Sequence, residues 1–344
     1  IIATLEGPGA ERQLEGVLGV LVQQLNAAAA GLDPRVFFEL FCGLEILLSR
    51  GSASTSAMAT IAEEVRVAGW DALQVLLRTQ PDTQLREPAM RLRLGHVVSL
   101  ALDAATTVDA GLDLRSRGVT AVVELWRAVN DADCLACFFP GAASALCKAV
   151  AGCVDARQNH SITCAALEAL AVICESVLGD TACAAAGIES TAEPSITAVV
   201  ESWRRQQSKV ESMPGAAMAA PSDTATGPGI GVAEDGSTYQ YPRVARNRAW
   251  LADTSVRVCR LLATALEKTA RNENWHVRAS AVQMAERVLR TCAVAVAASS
   301  TNLARSKPQD GSKVDMATGD ADDEDSLGVL LSDTIVGSLY SDSP

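Results

Sequence analysis

The sequence predicts an all-α protein built as a solenoid of stacked antiparallel helical hairpins. Three observations carry this. Apolar residues recur at i, i+3, i+4 and i+7 in one segment after another, the spacing that lines one face of a helix. No window alternates with period two for long enough to require a strand. Hydrophobic residues make up 49% of the 344-residue chain but aromatics only 4%. Ala, Leu and Val therefore carry the burial, which suits close helix–helix packing better than a sheet core.

Each element has a local reason. Leu14, Val17, Leu18, Leu21 and Leu25 form the first stripe, and Gly31 stands where a left-handed C-terminal cap belongs. Asp33 offers an N-cap oxygen, and Pro34 takes the first helical position, where its missing N–H costs nothing. The next stripe is Phe37, Leu40, Phe41, Leu44, Leu47 and Leu48, and so short a connection predicts an antiparallel α-hairpin. Further helices read at 55–78, 84–105, 116–130, 141–153, 160–178 and 193–210, separated by joints such as "RTQPDTQ", "FFPG" and "DARQN".

Farther along, Leu251, Thr254, Val258, Leu261 and Ala265 mark one face of a helix. Val256, Cys259, Ala263 and Leu266 mark another, as expected for a helix covered on two sides. Val277, Ala281, Met284, Val288, Cys292 and Ala295 then give a single stripe. Arg278, Gln283, Glu286, Arg287 and Arg290 point away from it, with Glu286 and Arg290 spaced as an i,i+4 pair worth about 0.2–0.5 kcal/mol.

Two stretches break the pattern. Residues 211–245 are rich in Gly, Pro, Ala, Ser and Thr without an apolar period, and 304–325 end in "GDADDED". Both bury too little to offset chain entropy, so both are expected to be disordered insertions. The predicted organisation is a solenoid over 1–210, the insertion 211–245, a hairpin continuing the solenoid over 246–303, an acidic loop over 304–325, and a helix beginning the next repeat over 326–344. Ile1 in place of Met reads as an excerpt of a longer chain.

A turn motif recurs. Asp253-x-x-Val256-Arg257 and Asn274-Trp275-His276-Val277-Arg278 each set a capping side chain three residues before a Val and an adjacent Arg; Asp33-Pro34-Arg35-Val36 is a looser relative. The expectation is that the Val fills the core while the Arg reaches the turn of the neighbouring repeat. Such wiring belongs to HEAT/armadillo-like solenoids, whose two-helix HEAT units run about 40–47 residues and leave an apolar face that only the next unit can cover. Wedged between hairpins, Trp275 is expected to cost about 3–5 kcal/mol on truncation to Ala.

The residues that could carry chemistry are few. Cys134-x-x-Cys137 lacks the second pair of a zinc ribbon, because Cys147 and Cys153 have five residues between them in an Ala-rich helix, and it lacks the βαβ setting of a redox motif. Most of the ten cysteines, among them Cys164, Cys174, Cys259 and Cys292, sit in apolar helical patterns and read as buried thiols of a reducing cytosol or nucleus. His96, His160 and His276 have no His or Glu neighbour at metal spacing and no orienting partner in sequence. GxSxG, GxxxxGK[ST] and GxGxxG are missing, and "GPGIG" at 227–231 falls in the insertion. The reading is therefore not an enzyme, with no catalytic, cofactor-binding or metal-ligating residue, no cofactor, and protein-binding residues left unassigned.

A formal charge of -12 and a pI near 4.8 argue against nucleic acid and anionic membrane as partners. Arg204, Arg205 and Lys209, and Arg243, Arg246 and Arg248, form small basic patches beside Trp203, Tyr239, Tyr241 and Trp250, and read as solvated helix ends with aromatics at a hinge. Asp320, Asp322, Asp323, Glu324 and Asp325, beside Ser326, read as a solubilising loop. "CLACFFPGAASALCKAVAGC" resembles a membrane span most, but Pro140-Gly141 and Lys148 interrupt it, and "IIATLEGPGA" has no signal-peptide pattern. The chain reads as soluble.

Residues 133–180, "DCLACFFPGAASALCKAVAGCVDARQNHSITCAALEALAVICESVLGD", resemble the Tel-two-interacting protein one family. The resemblance lies in the joint Phe138, Phe139, Pro140 and Gly141, in the helix, turn and long helix after it, and in the closing Gly179-Asp180. "RNRAWLADTSVRVCRLLATALEK", "NENWHVRASAVQMAERVLRTC" and "SLGVLLSDTIVGSLYSD" continue it in order, so that it covers about residues 133–340. The resemblance implies a large HEAT-repeat subunit of the Triple-T co-chaperone complex, found in cytoplasm and nucleus. Its implied partners are the two other Triple-T subunits, Hsp90 with its adaptor complex, and client phosphatidylinositol-3-kinase-related kinases of the TOR, ATM and ATR type. The alternative is another HEAT or armadillo adaptor, such as a nuclear-transport receptor or a phosphatase scaffold.

Overall fold

The structure, a computed structural model, describes residues 9–28, 31–50, 61–79, 84–107, 109–155, 159–188, 226–232 and 238–298. Among them are α1 (Ala10–Ala27), α2 (Pro34–Ser49), α3 (Glu63–Arg78), α4 (Met90–Thr106) and α5 (Leu112–Val129). A short α6 (Ala132–Leu135) leads into α7 (Phe139–Asp155), α8 (His160–Leu178) and the short α9 (Asp180–Ala185). Strands β1 (Thr226–Val232) and β2 (Thr238–Val244) precede α10 (Arg248–Ala270) and α11 (Trp275–Thr291).

The helices form two layers. α1, α3, α5, α8 and α11 lie side by side in one, and α2, α4, α7 and α10 in the other. The pairs α2/α3, α4/α5, α7/α8 and α10/α11 bridge the layers. This is the all-α solenoid the sequence predicts, and its physics is plain: each pair exposes an apolar flank that the next pair covers. One core runs through the whole array, with Phe37, Phe41, Trp70, Trp126 and Phe139 all under 2% exposed.

The pairing is offset by one helix from expectation. α1 and α2 do not make the first packed hairpin; α1 lies on α3, while α2 packs on α3 and α4. Glu11, in the first turn of α1, accepts from the Ala62 backbone N–H at the start of α3 (3.0 Å), so α1 and α3 run parallel. The local signals were right: Gly31 has φ +81°, and Asp33 caps α2 by accepting from the Arg35 N–H at 2.8 Å. A left-handed residue in a short connection carries the chain from one layer to the other, but it does not choose which helix will be the neighbour.

The second correction concerns the insertion. Residues 226–232 and 238–244, expected to be structureless, pair as an antiparallel hairpin in which Gly229 faces Tyr241 and Gly231 faces Tyr239. β2 rests near α4 and α6. Alternate glycines opposite tyrosines give no apolar period, which hid the strands. The expected helix over 193–210, the segments 304–325 and 326–344, and residues 55–60 of the helix expected over 55–78 lie outside the described residues.

α8 is the hub. It touches α5, α6, α7, α9 and α11, so most of its circumference is covered. That coverage accounts for its composition: the stretch His160–Ala185 is long and apolar enough to cross a membrane, yet its most apolar 18-residue window, of mean hydropathy 1.8, is 72% buried in the stack. The span-like sequence at Cys134–Cys153 instead contains the start of α7, where Pro140 falls in the first turn and costs no hydrogen bond.

Candidate functional site

The arginines that wire the repeats together are not those the turn motif singles out. Arg257 is exposed and pairs with Asp253 of its own helix at 3.0 Å, and Val256 beside it is only half-buried. Arg278 donates to the carbonyls of Asn272 and Glu273, in its own turn, at 3.0 and 3.1 Å. Val277 is buried as expected, and Asn274 caps α11 by accepting from the His276 N–H at 2.9 Å, whereas Val36 is 44% exposed.

Repeat-to-repeat contacts come from elsewhere. In the first layer Glu63 accepts from the Gly111 N–H at 3.2 Å, Arg117 pairs with Asp71 at 3.1 Å, and Arg78 pairs with Glu124 at 3.0 Å. Arg287, expected to point away, reaches Glu168 at 2.7 Å and Glu175 at 2.9 Å on α8, and Asp180 accepts from the Val294 N–H at 2.8 Å. In the second layer Glu45 holds Arg93 at 2.7 Å.

Arg246 is the most buried of these arginines. The sequence places it in a solvated basic patch, but its side chain is only 5% exposed. Its Nε donates to Asp133 at 2.6 Å, and its two terminal nitrogens donate to the carbonyls of Val177 (3.2 Å) and Ala182 (3.1 Å). It thereby adds a charged donor to carbonyls at the C-terminal end of α8 and in α9, where Ala182 already accepts from the Ala186 N–H. Trp250 nearby is buried, and Arg243 and Arg248 are exposed.

Trp275 contradicts the wedge expectation: it is 60% exposed. Its ring stacks on His276 (centroids 3.7 Å apart), which in turn stacks on His160 across the α8/α11 boundary (5.5 Å). His96 does have an orienting partner, invisible in sequence because it lies 51 residues away: its Nδ1 is 2.8 Å from Glu45. That carboxylate also holds Arg93, which lies over the Phe38 ring at 5.3 Å. Cys42, on the same surface, has its thiol pushed up, chiefly by burial. A nucleophile needs the opposite shift, so the group acts as a clamp between α2 and α4.

Cys134 is fully buried, and its thiol is pushed up to about 11, mainly by desolvation; the half-buried Cys137 is raised for the same reason. Desolvation shifts both thiols away from the lowered pKa of an activated nucleophile, as in packing cysteines. No group of three or more His, Cys, Asp or Glu side chains among the described residues is arranged to hold a metal ion. A cleft of about 450 Å³ lies between α4, α5 and α7, lined by Thr106, Arg115, Ser144 and Lys148. Arg115 braces its wall, donating to the Ala105 carbonyl at 3.2 Å and to the Cys153 sulfur at 3.1 Å.

Long parallel layers, cross-tied by arginines and offering extended surface, define a helical-repeat scaffold. The chain matches the family described as the TTI1 N-terminal TPR domain over residues 15–306 and belongs to it. The match begins well before residue 133, where the resemblance in sequence begins. No curated protein and no solved structure matches the chain. The family description names TPR units where the sequence suggests HEAT. Successive second-layer helices start at Pro34, Met90 and Phe139, steps of 56 and 49 residues, longer than the ~34 of TPR or the ~40–47 of HEAT units.

Proposed function

We propose that this chain is a non-catalytic scaffold segment of the Triple-T co-chaperone. In this reading it works with the two other Triple-T subunits, and with Hsp90 and its adaptor complex. Together they support the folding, stability and assembly of phosphatidylinositol-3-kinase-related kinases of the TOR, ATM and ATR type, in cytoplasm and nucleus. Membership of the TTI1 family over residues 15–306 is the observation that carries it. The physics fits: a two-layer stack offers a long surface to large clients and needs no reactive group to do so. The charge of -12 is consistent with protein partners rather than nucleic acid or an anionic membrane.

Affinity purification from the source cell tests the reading. Recovery of the two sister subunits with a giant kinase supports it; recovery of Ran or of phosphatase subunits overturns it in favour of another adaptor. A thiol enzyme is tested separately by replacing Cys134 and Cys137 with Ser. The expected result is unchanged metal content and unchanged partner recovery at full helicity.

A further inference from the structure

We infer that α1 is a self-docking surface, through which two copies of this chain pair as an antiparallel two-helix coiled coil. One flank of α1 carries no charged residue and is largely exposed. Ala10, Gln13, Val17, Val20, Gln24 and Ala27 follow one another at steps of three and four, the a/d spacing of a coiled coil. Leu14, Leu18 and Leu25 face the core, but Val17 and Val20 are 43% and 57% exposed. Gln13, Gln24 and Ala27 are exposed as well, and Ala10 is half-buried.

The order of these residues singles out the occupant. Ala-Gln-Val-Val-Gln-Ala reads the same in both directions. Across a two-fold axis between Val17 and Val20, each a-type position meets a d-type position of the second copy, and every layer matches like with like. Val17 meets Val20, Gln13 meets Gln24 as a side-chain amide pair, and Ala10 meets Ala27. A two-fold interface must be self-complementary in this way, whereas a different partner would impose no such symmetry. With Gly16 and Gln23 the uncharged arc spans about 140° of the helix. Gly16 has open space where a Cβ would point, so a second backbone can come close. Neutrality of the arc also spares the pair local repulsion between two chains of charge -12.

The size of the surface sets the strength. An 18-residue helix is about 27 Å long. A face on one helix of this length buries on the order of 400–500 Å² per copy, at the lower limit for a specific interface, so the pairing is expected to be weak.

Sedimentation equilibrium of the 344-residue chain from about 5 to about 200 μM reads this directly. The weight-average mass is expected to climb from 35.9 kDa towards twice that value. V17E and V20K, at exposed positions, keep full helicity by circular dichroism and each weaken association at least ~10-fold, because an unpaired charge enters the contact. The double variant V17E/V20K regains it, since only the antiparallel register sets the new carboxylate against the new ammonium. A chain that stays monomeric at the highest concentration overturns the inference, and so does a dimer indifferent to V17E or a double variant no better than the singles.

Discussion

Trp126 and Trp275 carry the same side chain to opposite fates. Trp126 on α5 is fully buried, and its indole N–H has no acceptor among the described residues; Trp275 is the first residue of α11 and mostly in solvent. Trp126→Ala is expected to cost about 3–5 kcal/mol in urea denaturation, and Trp275→Ala less than about 1. Equal costs would reverse the assignment. The sequence reading wedged Trp275 between hairpins and missed the spacing that excludes it: Val277 fixes the buried face of α11, and a residue two positions earlier sits about 200° around the helix. Arg246 was not legible, because its partners are as much as 113 residues away and no local spacing reports them. Arg246→Met leaves the Val177 and Ala182 carbonyls without their charged donor. A loss of about 2–4 kcal/mol is expected, against under about 0.5 for the exposed Arg243→Met, in the same denaturant series.

For the elements, periodicity located the helices, and α8 was found with both ends in place. Pairing was harder. α1 and α2 are adjacent in sequence and share a tight turn, but contact is decided by which buried stripes fit, and Leu14 and Leu18 fit α3. A second feature hidden from periodicity is the crossing of α4 and α5 at Gly118, where a Cβ would lie 2.6 Å from the Ala101 carbonyl oxygen and 2.8 Å from the Ala105 nitrogen. Backbone atoms cannot swing aside. Gly118→Ala is therefore expected to destabilise by about 1–3 kcal/mol, although Ala is the better helix former by about 1; a stabilised variant in thermal melts would refute this crossing. The thiols between α7, α8, α10 and α11 give a pH test. Burial pushes Cys147 and Cys292 up to about 12 from an ordinary 9.0, and raises Cys174 well above it. The native state therefore holds protons that the unfolded chain releases first. Their contribution is fully present below pH 9 and lost as pH rises towards 12. The fall in unfolding free energy over that window should shrink in Cys292→Val, and an unchanged slope would place the thiol in water.

At the scale of the whole molecule, stability is a sum of helix pairs and the interfaces between them, so weakening one interface should loosen one end of the array rather than melt everything. The α10/α11 pair is the place to see this. It is joined to the rest through α7 and α8, and on the α8 side Arg287 binds Glu168 and Glu175 together. Arg287→Ala leaves two carboxylates seven residues apart on α8 without their shared cation. Hydrogen exchange is expected to accelerate at amides of 248–291 while those of 63–129 keep their protection, and denaturation followed by two probes should cease to coincide. The same comparison in Arg257→Ala, which pairs with Asp253 one turn away on its own helix, should leave both regions unchanged. If Arg287→Ala instead speeds exchange evenly along the chain, the stack behaves as one cooperative body, and its last pair cannot open independently of the rest.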